Sequence, residues 1–390
     1  MINIQEKKDC CGCTACDSIC PRKCISMIED IEGFKFPKVD ISSCINCGLC
    51  EKVCPMIHPN SGFSIINVIS AKNKSEVVRS KSSSGGIFSL LAELIIEKGG
   101  VVVGCTMDEK QNITHKIAFT KQELIAFRSS KYVQSDLDDT FIKIRDLLRK
   151  GRLVLFSGTP CQVAGLRHFL IKPFENLICV DVLCHGVPSP KLFREYLQML
   201  EMKNGSKVIN LNFRDKEKSW KRLHMKVDFE NGKQYYKFSG YDKYLSLFLN
   251  NKSQRNSCFH CPFASLHRQG DISLGDFWGI GKRYPDFDDD KGISLVLLNS
   301  IKGKNLYRQI ENNVVSFESD IEQAIAGNKV LYQSIVGEEK RNQFYMDYSD
   351  YGLQIALKNH VYIDPWLKQQ YYIFMRVILD LIRKIFKIGY

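Results

Sequence analysis

The amino-acid sequence predicts a mixed α+β and α/β fold, in which a small cysteine-rich module precedes a larger α/β unit. Two observations predict it. A cysteine motif occurs twice near the N-terminus, and each position of the second copy follows the first by 34 residues, as Cys44 follows Cys10. Apolar strand-like runs then alternate with helical segments, which is typical of a sheet with parallel strands. With 390 residues, 44% of them hydrophobic, the chain is long enough for two or three domains.

The repeated motif, C-x2-C-x2-C-x3-C-P, is typical of a module that holds two 4Fe–4S clusters. Three thiolates on one short loop hold three corners of a cubane, and the cysteine before the proline binds the partner cluster. The first cluster is expected on Cys10, Cys13, Cys16 and Cys54, and the second on Cys44, Cys47, Cys50 and Cys20. Zinc is the alternative, but one zinc ion needs four ligands in all, whereas the repeats supply eight. Residues 1–60 are therefore predicted to form a ferredoxin-like electron-transfer module.

Two cysteines of this module fall outside the motif. Cys24 is interpreted as a small packing residue. Cys11 directly follows Cys10, and the sequence leaves open which of the two binds the first cluster.

The compartment and the partners are inferred from composition. No signal peptide and no apolar run of membrane-spanning length are visible, so a cytoplasmic protein is expected. Sixteen cysteines in a reducing compartment indicate metal binding and not disulfides. The net charge of +12 suits an acidic protein partner or a phosphate-bearing cofactor, and because no nucleic-acid module accompanies it, no nucleic-acid partner is expected.

A second candidate site begins at the turn formed by Ser83, Ser84, Gly85 and Gly86. This turn separates a predicted strand at 65–71 from a predicted helix at 87–98, with Ser84 as the expected N-cap. Free N–H groups at a helix N-terminus favour a phosphate or flavin contact, although an ordinary capped helix fits equally well. Lys131, in the polar loop 130–135, would add a cation, with a solvated surface lysine as the alternative.

A third group of cysteines lies in the α/β unit. Cys161 and Cys184 follow predicted strands at 153–156 and 177–183, where ligands bind in parallel sheets. Cys258 and Cys261 form a separate C-x2-C-P pair. A third 4Fe–4S cluster on these four residues is favoured, while a reactive Cys161 with His185 nearby and a structural zinc remain open.

The segment from Trp366 onward is predicted to form a basic amphipathic helix. Its apolar residues at helical spacing are Ile373, Val377, Ile378, Leu381, Ile382 and Ile385. Packing on its own domain is slightly favoured, and peripheral contact with an anionic membrane surface or docking on a partner are the alternatives.

These segments together resemble the coenzyme F-420 hydrogenase/dehydrogenase beta-subunit family, in a form with a ferredoxin module fused at the front. The resemblance covers about residues 8–300. The matching segments are Ser83-Ser84-Gly85-Gly86, Ser130-Lys131-Tyr132-Val133-Gln134, Gly158-Thr159-Pro160-Cys161-Gln162, Cys184-His185-Gly186 with Ser189-Pro190, Phe213-Arg214-Asp215-Lys216 with Trp220, Cys258-x2-Cys261, and Asp271-Ile272 with Gly275-Asp276.

The resemblance implies a flavin-binding α/β unit behind the ferredoxin module. It implies FAD in contact with the Ser/Gly turn and Lys131, and it favours the third cluster on Cys161, Cys184, Cys258 and Cys261. The domains implied are a flavin-contacting domain at 61–150, a second beta-subunit domain at 151–300 and a helical extension at 301–390.

The activity implied is that of an FAD- and 4Fe–4S-dependent oxidoreductase. Electrons would pass from a ferredoxin-type donor through the clusters and FAD to a small organic acceptor, in many relatives within surface-polysaccharide biosynthesis. A relay or accessory subunit without a substrate of its own is the alternative, and a homo-oligomer is compatible with either. No residue is assigned a catalytic role, and the acceptor, the direction of electron flow and the use of a deazaflavin are left open.

Overall fold

The computed structural model describes residues 1–365 together with Lys368 and Met375. The strands are β1 (Ile25–Glu29), β2 (Lys35–Val39), β3 (Asn67–Asn73), β4 (Val101–Met107), β5 (Ile113–Ala118), β6 (Val154–Gly158), β7 (Leu177–Val182), β8 (Val208–Asp215), β9 (His224–Phe229), β10 (Gln234–Phe238), β11 (Ile272–Asp276), β12 (Ser294–Leu298) and β13 (Val314–Ser319). The α-helices are α1 (Ala15–Ile19), α2 (Leu49–Lys52), α3 (Glu76–Ser80), α4 (Ile87–Glu97), α5 (Thr140–Arg149), α6 (Pro160–Leu170), α7 (Pro190–Asn204), α8 (Lys243–Leu249), α9 (Ile280–Arg283), α10 (Ile301–Arg308), α11 (Ile321–Gly327) and α12 (Glu338–His360). Short 3-10 helices lie at Lys7–Asp9, Glu123–Phe127, Asn256–His260, Pro285–Phe287, Glu311–Asn313 and Lys329–Leu331.

The centre of the fold is a mixed sheet of eight strands in the order β13-β3-β12-β11-β7-β6-β4-β5. Its middle strands β4, β6, β7 and β11 run parallel, as the alternation of strands and helices predicts. The outer pairings are antiparallel, so the prediction of a parallel sheet holds only for the middle. This parallel core brings the carboxyl ends of β6 and β7 to one edge of the sheet.

Helices cover both faces of this sheet because successive strand residues point to opposite sides. On one face, Val102, Leu155 and Val180 pack against the apolar side of α4. On the other face, Val103 and Phe156 pack against α5 and α6. The face covered by α5 and α6 also receives the N-terminal module, which positions the first cysteine repeat close to the start of α6.

The N-terminal module comprises the β1–β2 hairpin and the short helices α1 and α2, and it is docked by buried arginines. Arg255 is 1% exposed and its Nε donates to the carbonyl of Cys10 at 2.7 Å. Arg341, in α12, is also buried, and its Nη1 donates to Glu32 Oε1 at 3.0 Å. The module therefore contacts residues that follow it in the chain by more than two hundred positions.

The predicted domain boundaries at residues 150 and 300 stay proposals. In the structure, strands from both sides of each boundary pair within one sheet, since β4 pairs with β6 and β3 pairs with β13. The predicted amphipathic helix from Trp366 onward lies outside the described residues. Across residues 1–365, no helix combines the length and the apolar character needed to cross a membrane.

Candidate metal centres and cofactor site

The second cysteine repeat encloses a small cavity with an empty volume of about 350 Å³. Its walls include Cys20, Cys44, Cys47 and Cys50, the four residues expected to bind the second cluster. These thiols come from both repeats, because Cys20 belongs to the first and the other three to the second. The exchange of the fourth ligand between the repeats, which the motif predicts, is thus compatible with the folded module.

Backbone N–H groups point at the sulfur atoms of this cavity. The amide of Ile2 donates to Cys50 Sγ at 3.2 Å, and the amide of Asn46 donates to Cys44 Sγ at 3.4 Å. Such N–H···S bonds favour the thiolate form and tune the potential of an iron–sulfur cluster. The cavity therefore fits a thiolate-bound cluster by the chemistry of its donors.

Cys24 lies on the wall of the same cavity, and its sulfur is 3.4 Å from Cys20 Sγ. Burial, with hydrogen bonding to Cys20, raises the pKa of the Cys24 thiol to about 11. Cys24 therefore supports the ligand Cys20 as a neutral neighbour, which extends the packing role expected from the sequence.

The thiols expected to bind the first cluster also converge. Burial, together with the charges of Cys10 and Cys54, raises the pKa of Cys16, and Cys13 interacts with both Cys16 and Cys54. Buried thiols that raise one another's pKa need a cation to become thiolates together. Iron would supply that cation, so the donor set fits the expected cluster.

Cys11 lies at the edge of this set, between the module and the α/β unit. Its thiol contacts Cys13 on one side and Cys161 on the other, and it lines the cavity that holds Cys161. Cys10, by contrast, interacts with Cys16 and Cys54. This geometry supports Cys10 as the ligand of the first cluster and makes Cys11 a contact between two candidate centres.

The four cysteines proposed for a third cluster line one cavity, which has an empty volume of about 610 Å³. Cys161 lies in the first turn of α6, directly beyond β6, and Cys184 lies just beyond β7. Cys258 and Cys261 come from the 3-10 helix at Asn256–His260 and the residue after it. Three separate parts of the chain thus bring their thiols to one edge of the central sheet.

The electrostatics of this inner cavity suit a cationic centre with thiolate ligands. Burial, followed by repulsion from Cys258, raises the pKa of Cys184 well above its usual range. Burial also raises the pKa of Cys258 to about 12 and that of Cys261 to about 11. Two buried arginines, Arg255 and Arg268, line the cavity and oppose these shifts. Bound iron would lower the pKa values of these thiols, because a thiol that coordinates a metal loses its proton.

The two other interpretations of these cysteines gain less support. A hydrogen bond to Cys11, together with burial, raises the pKa of Cys161, which is opposite to the shift that activates a nucleophile. His185 hydrogen-bonds with Asn251 and its ring lies edge-on to Phe248. Within residues 1–365, no three His, Cys, Asp or Glu side chains are placed so as to hold a single metal ion.

Arg255 is a candidate functional residue that no sequence pattern singled out. Its guanidinium donates to the Cys10 carbonyl, to Gln134 Oε1 at 3.1 Å and to the Lys35 carbonyl at 2.9 Å. All three acceptors are neutral, and the guanidinium also lies 4.2 Å from the Phe36 ring centroid. A buried positive charge therefore lies between the first candidate cluster and the inner cavity.

The two segments expected to contact a flavin lie side by side. Ser83 Oγ is 2.8 Å from Ser130 Oγ and accepts the Ser130 amide at 2.6 Å. The turn at 82–86 and the loop at 130–135 are thus joined, although 47 positions separate the two serines. This contact supports one shared ligand-facing surface.

The prediction that Ser84 caps α4 was wrong. Gly86 is the N-cap and has a positive φ of 81°, which glycine adopts without strain. Ser84 Oγ instead donates to the Ile293 carbonyl at 2.8 Å. Gly85 has a packing role, because a Cβ at this position would meet the Ala71 carbonyl oxygen at 2.4 Å.

Lys131 is half-buried, and its ammonium is bound within its own loop. Its Nζ donates to the carbonyl oxygens of Ala126 at 2.9 Å and Arg128 at 2.7 Å. Burial lowers the pKa of this ammonium to about 8. The contact of Lys131 with FAD stays a prediction, and its ammonium is largely committed to its own loop.

Arg214 is a second residue to which the sequence assigned no role. Its side chain is 4% exposed, and its Nη1 forms an ion pair with Asp276. Its Nε and Nη2 are buried and have no hydrogen-bond partner among the described residues. A buried donor without a partner costs about 1–3 kcal/mol of folding free energy.

The comparisons with known proteins agree with this division into a cluster module and an α/β unit. Residues 9–56 match the family model of the 4Fe-4S dicluster domain. Residues 151–323 match the model for the C terminus of the coenzyme F420 hydrogenase/dehydrogenase beta subunit. The NADH-quinone oxidoreductase subunit I 2 of Geobacter metallireducens is 38% identical over 56 residues, which are 13% of this chain and 43% of that protein.

A longer similarity extends over most of the chain. The coenzyme F420-dependent sulfite reductase of Methanocaldococcus jannaschii is 23% identical over 376 residues, which cover 90% of this chain and 54% of that protein. The chain thus spans about half the length of that relative. A chain of the F420-reducing [NiFe] hydrogenase complex from Methanosarcina barkeri superposes with a TM-score of 0.47 at 17% identity, covering 74% of this chain and 91% of that one. The chain thus carries, at residues 151–323, the C-terminal domain of the coenzyme F420 hydrogenase/dehydrogenase beta-subunit family, and, at residues 9–56, a 4Fe–4S dicluster domain.

Proposed function

We propose that this chain is an iron–sulfur flavoprotein oxidoreductase that passes electrons from a ferredoxin-type donor to an organic acceptor. One observation carries the proposal. Cys161, Cys184, Cys258 and Cys261 line a single cavity, and Cys11 connects this cavity to the dicluster module. Such an arrangement suits a chain of centres that begins in the module and ends at the edge of the central sheet.

The cofactors would divide the redox chemistry, since a 4Fe–4S cluster carries one electron and a flavin exchanges one or two. The residues of the chain would hold and space them. Cys47 is exposed, so the second cluster would lie nearest to the surface and to the donor. Arg255 would fix the first cluster against the inner one through its bond to the Cys10 carbonyl.

A flavin site beside the inner cavity is supported by the shared edge of the sheet. Leu183 precedes Cys184 in the chain, and its amide donates to the Leu274 carbonyl at 2.9 Å. Asp276, the partner of Arg214, ends the same strand β11. The inner cysteines and the candidate flavin surface therefore lie on neighbouring strand ends, which keeps the path for electrons short.

The partner at the module is proposed from charge. The chain carries a net charge of +12, and complementary charge steers association with an acidic ferredoxin. The name of the relative from Methanocaldococcus makes coenzyme F420 a further candidate partner at the flavin surface. An acceptor from surface-polysaccharide biosynthesis stays a prediction from the resemblance alone.

The test is anaerobic reconstitution followed by measurement of iron, sulfide, zinc and flavin. Three cubanes predict about twelve irons per chain, together with one bound flavin. Cys161→Ser should lose about four irons and keep the spectroscopic signals of the two N-terminal clusters. Cys24→Ser is the matched control, because Cys24 also lines a cluster cavity but is not an expected ligand, so it should keep all of the iron.

Two results would oppose the proposal. Zinc at the inner cysteines, or no flavin uptake by the wild-type chain, would contradict the scheme. Reduction assays with ferredoxin as donor and either coenzyme F420 or a viologen dye as acceptor separate the alternatives. A chain that takes up clusters and flavin but reduces neither acceptor would be a relay subunit.

A further inference from the structure

Arg214 presents one unused edge of its guanidinium inside the protein. Its Nη1 is bound to Asp276, whereas Nε and Nη2 are buried and have no hydrogen-bond partner among residues 1–365. Nε and Nη2 share one side of the planar group and point in the same direction. This edge matches the two oxygens of a carboxylate or a phosphate, which arginine binds through two parallel N–H···O bonds.

The neighbours of Arg214 hold this edge in a fixed orientation. Trp220 Nε1 donates to Asp276 Oδ1 at 2.9 Å, so the carboxylate is bound on both of its oxygens. Trp278 stacks on Trp220 with ring centroids 4.7 Å apart, and the Arg214 guanidinium carbon lies 5.6 Å from the Trp278 ring centroid. The Tyr132 hydroxyl also interacts with Arg214, while Nε and Nη2 have no partner at hydrogen-bond geometry among the described residues. Asp276 cannot satisfy the second edge without giving up the bonds that it already makes.

The strand that carries Arg214 crosses between the two candidate flavin segments. Asn212 Oδ1 accepts a hydrogen bond from Ser129 Oγ at 2.8 Å, beside the loop at 130–135. Lys216 Nζ donates to the Ser84 carbonyl at 3.0 Å, within the Ser/Gly turn. Arg214 lies midway between Asn212 and Lys216 in the chain, so contacts to the two segments flank it on both sides. The free edge is therefore positioned where the two segments meet.

The other cations of this region are already committed. The ammonium of Lys216 donates to three carbonyl oxygens, those of Arg79, Ser84 and Lys291. The ammonium of Lys131 donates to two carbonyl oxygens of its own loop. Among these three cations, Arg214 alone has two adjacent donors to offer.

We propose that the free edge of Arg214 binds an oxyanion, a phosphate or a carboxylate, on the ligand held between the two segments. The inference rests on the proposed function and deepens it, because it names the chemical group that the flavin surface recognises. The oxyanion has two possible sources, the phosphates of FAD and an anionic group of the electron acceptor. The same guanidinium geometry serves either source, so the experiment has to separate them.

The test compares Arg214→Gln, Arg214→Lys and a matched control in the full, anaerobically reconstituted chain. The control is Arg283→Gln, because Arg283 also pairs with an aspartate, Asp320, and lies 5.6 Å from an aromatic ring centroid, but its side chain is 57% exposed. Fluorescence quenching gives the affinities for FAD and for riboflavin, which lacks phosphate. Calorimetry gives the affinities for inorganic phosphate and for oxalate, with and without bound flavin.

The two sources give different results. If Arg214 binds the flavin phosphates, Arg214→Gln weakens FAD binding by about 10- to 100-fold and leaves riboflavin binding unchanged. If Arg214 binds the acceptor, FAD binding is unchanged and the affinity for phosphate or oxalate on the flavin-loaded chain falls by the same factor. Arg214→Lys keeps part of the affinity in either case, since lysine offers a single point charge. Equal affinities for FAD, phosphate and oxalate in the wild type and Arg214→Gln would overturn the inference.

The wild-type chain gives a second readout if Arg214→Gln does not fold. Equal affinities for FAD and riboflavin, with no binding of phosphate or oxalate, would also overturn the inference. A wild-type chain that binds no flavin at all contradicts the proposed function instead. In that case, phosphate and oxalate titrations of the flavin-free chain still test Arg214.

Discussion

Replacing Arg255 by Met should loosen the N-terminal module from the α/β unit. The side chain is 1% exposed, and its loss removes three hydrogen bonds, to the Cys10 carbonyl, Gln134 Oε1 and the Lys35 carbonyl. Each buried acceptor left without a donor costs about 1 kcal/mol or more, so the free energy of unfolding should fall by about 3 kcal/mol or more. Met keeps a similar apolar stem, so the change tests the guanidinium and not the volume.

Arg194→Met is the matched control at the same interface. Arg194 also joins the module to the α/β unit, through an ion pair with Glu29 at 3.1 Å, but both side chains are 36% exposed. An exposed pair of this kind contributes about 0–1 kcal/mol. Urea denaturation of the full reconstituted chain gives the stability of each variant, and limited proteolysis within residues 56–64 reports whether the module is released.

The two arginine variants should behave differently. Arg255→Met should lower the urea midpoint and speed cleavage between the module and the α/β unit, while Arg194→Met should resemble the wild type in both assays. Equal behaviour of the two variants would refute the conclusion that Arg255 docks the module. Because Arg255 also places a positive charge beside the inner cavity, its loss should shift the reduction potential of a cluster there to a more negative value.

Three further predictions concern the cluster ligands, a buried histidine and a close glycine contact. Cys10→Ser should lose about four irons and Cys11→Ser none, measured by iron content; the opposite result would make Cys11 the ligand. Burial lowers the pKa of His115 to about 4. Between pH 6.5 and 4, the unfolded state therefore binds a proton on this histidine and the folded state does not. Stability should therefore fall by up to about 3 kcal/mol as the pH drops from about 6.5 towards 4, and urea midpoints of His115→Gln should show a weaker fall. A Cβ at Gly165 would lie 2.9 Å from Cys13 Sγ, so Gly165→Ala should perturb the electron paramagnetic resonance signal of the first cluster; an unchanged signal would contradict this contact.

Local spacing leads to the proposed cysteine sets of the module, because cluster binding depends on thiolates a few residues apart, and cluster binding by these sets stays a prediction. The inner set was predictable for a different reason. Cys161 and Cys184 each follow a strand, and parallel strands bring such positions to one edge. The cap of α4 was misjudged because the turn before this helix contains both serines and glycines, and Gly86 takes the N-cap with a positive φ.

Arg214 and Arg255 could not be predicted from local pattern. Arg214 stands out because its Nη1 pairs with Asp276, whereas its Nε and Nη2 have no partner among the described residues. Asp276 lies 62 positions away in the chain. Arg255 is significant because it meets Cys10, which lies 245 positions away. Neither separation leaves a periodicity that a sequence pattern can show. The available signal for Arg214 was its place in the matching segment Phe213-Arg214-Asp215-Lys216, whereas the polar stretch around Arg255 offered none.

The residues that dock the module are synthesised long after the module itself. The cysteine repeats are complete within the first 54 residues, so the module's ligands emerge before any strand of the central sheet. Its anchor Arg255 emerges some two hundred residues later, and Arg341, which binds Glu32 across 309 positions, emerges later still. At common rates of about 5–20 residues per second, the module would wait on the order of ten seconds or more for its docking surface. The first cysteine repeat therefore has a time window for cluster assembly before the α/β unit packs against it.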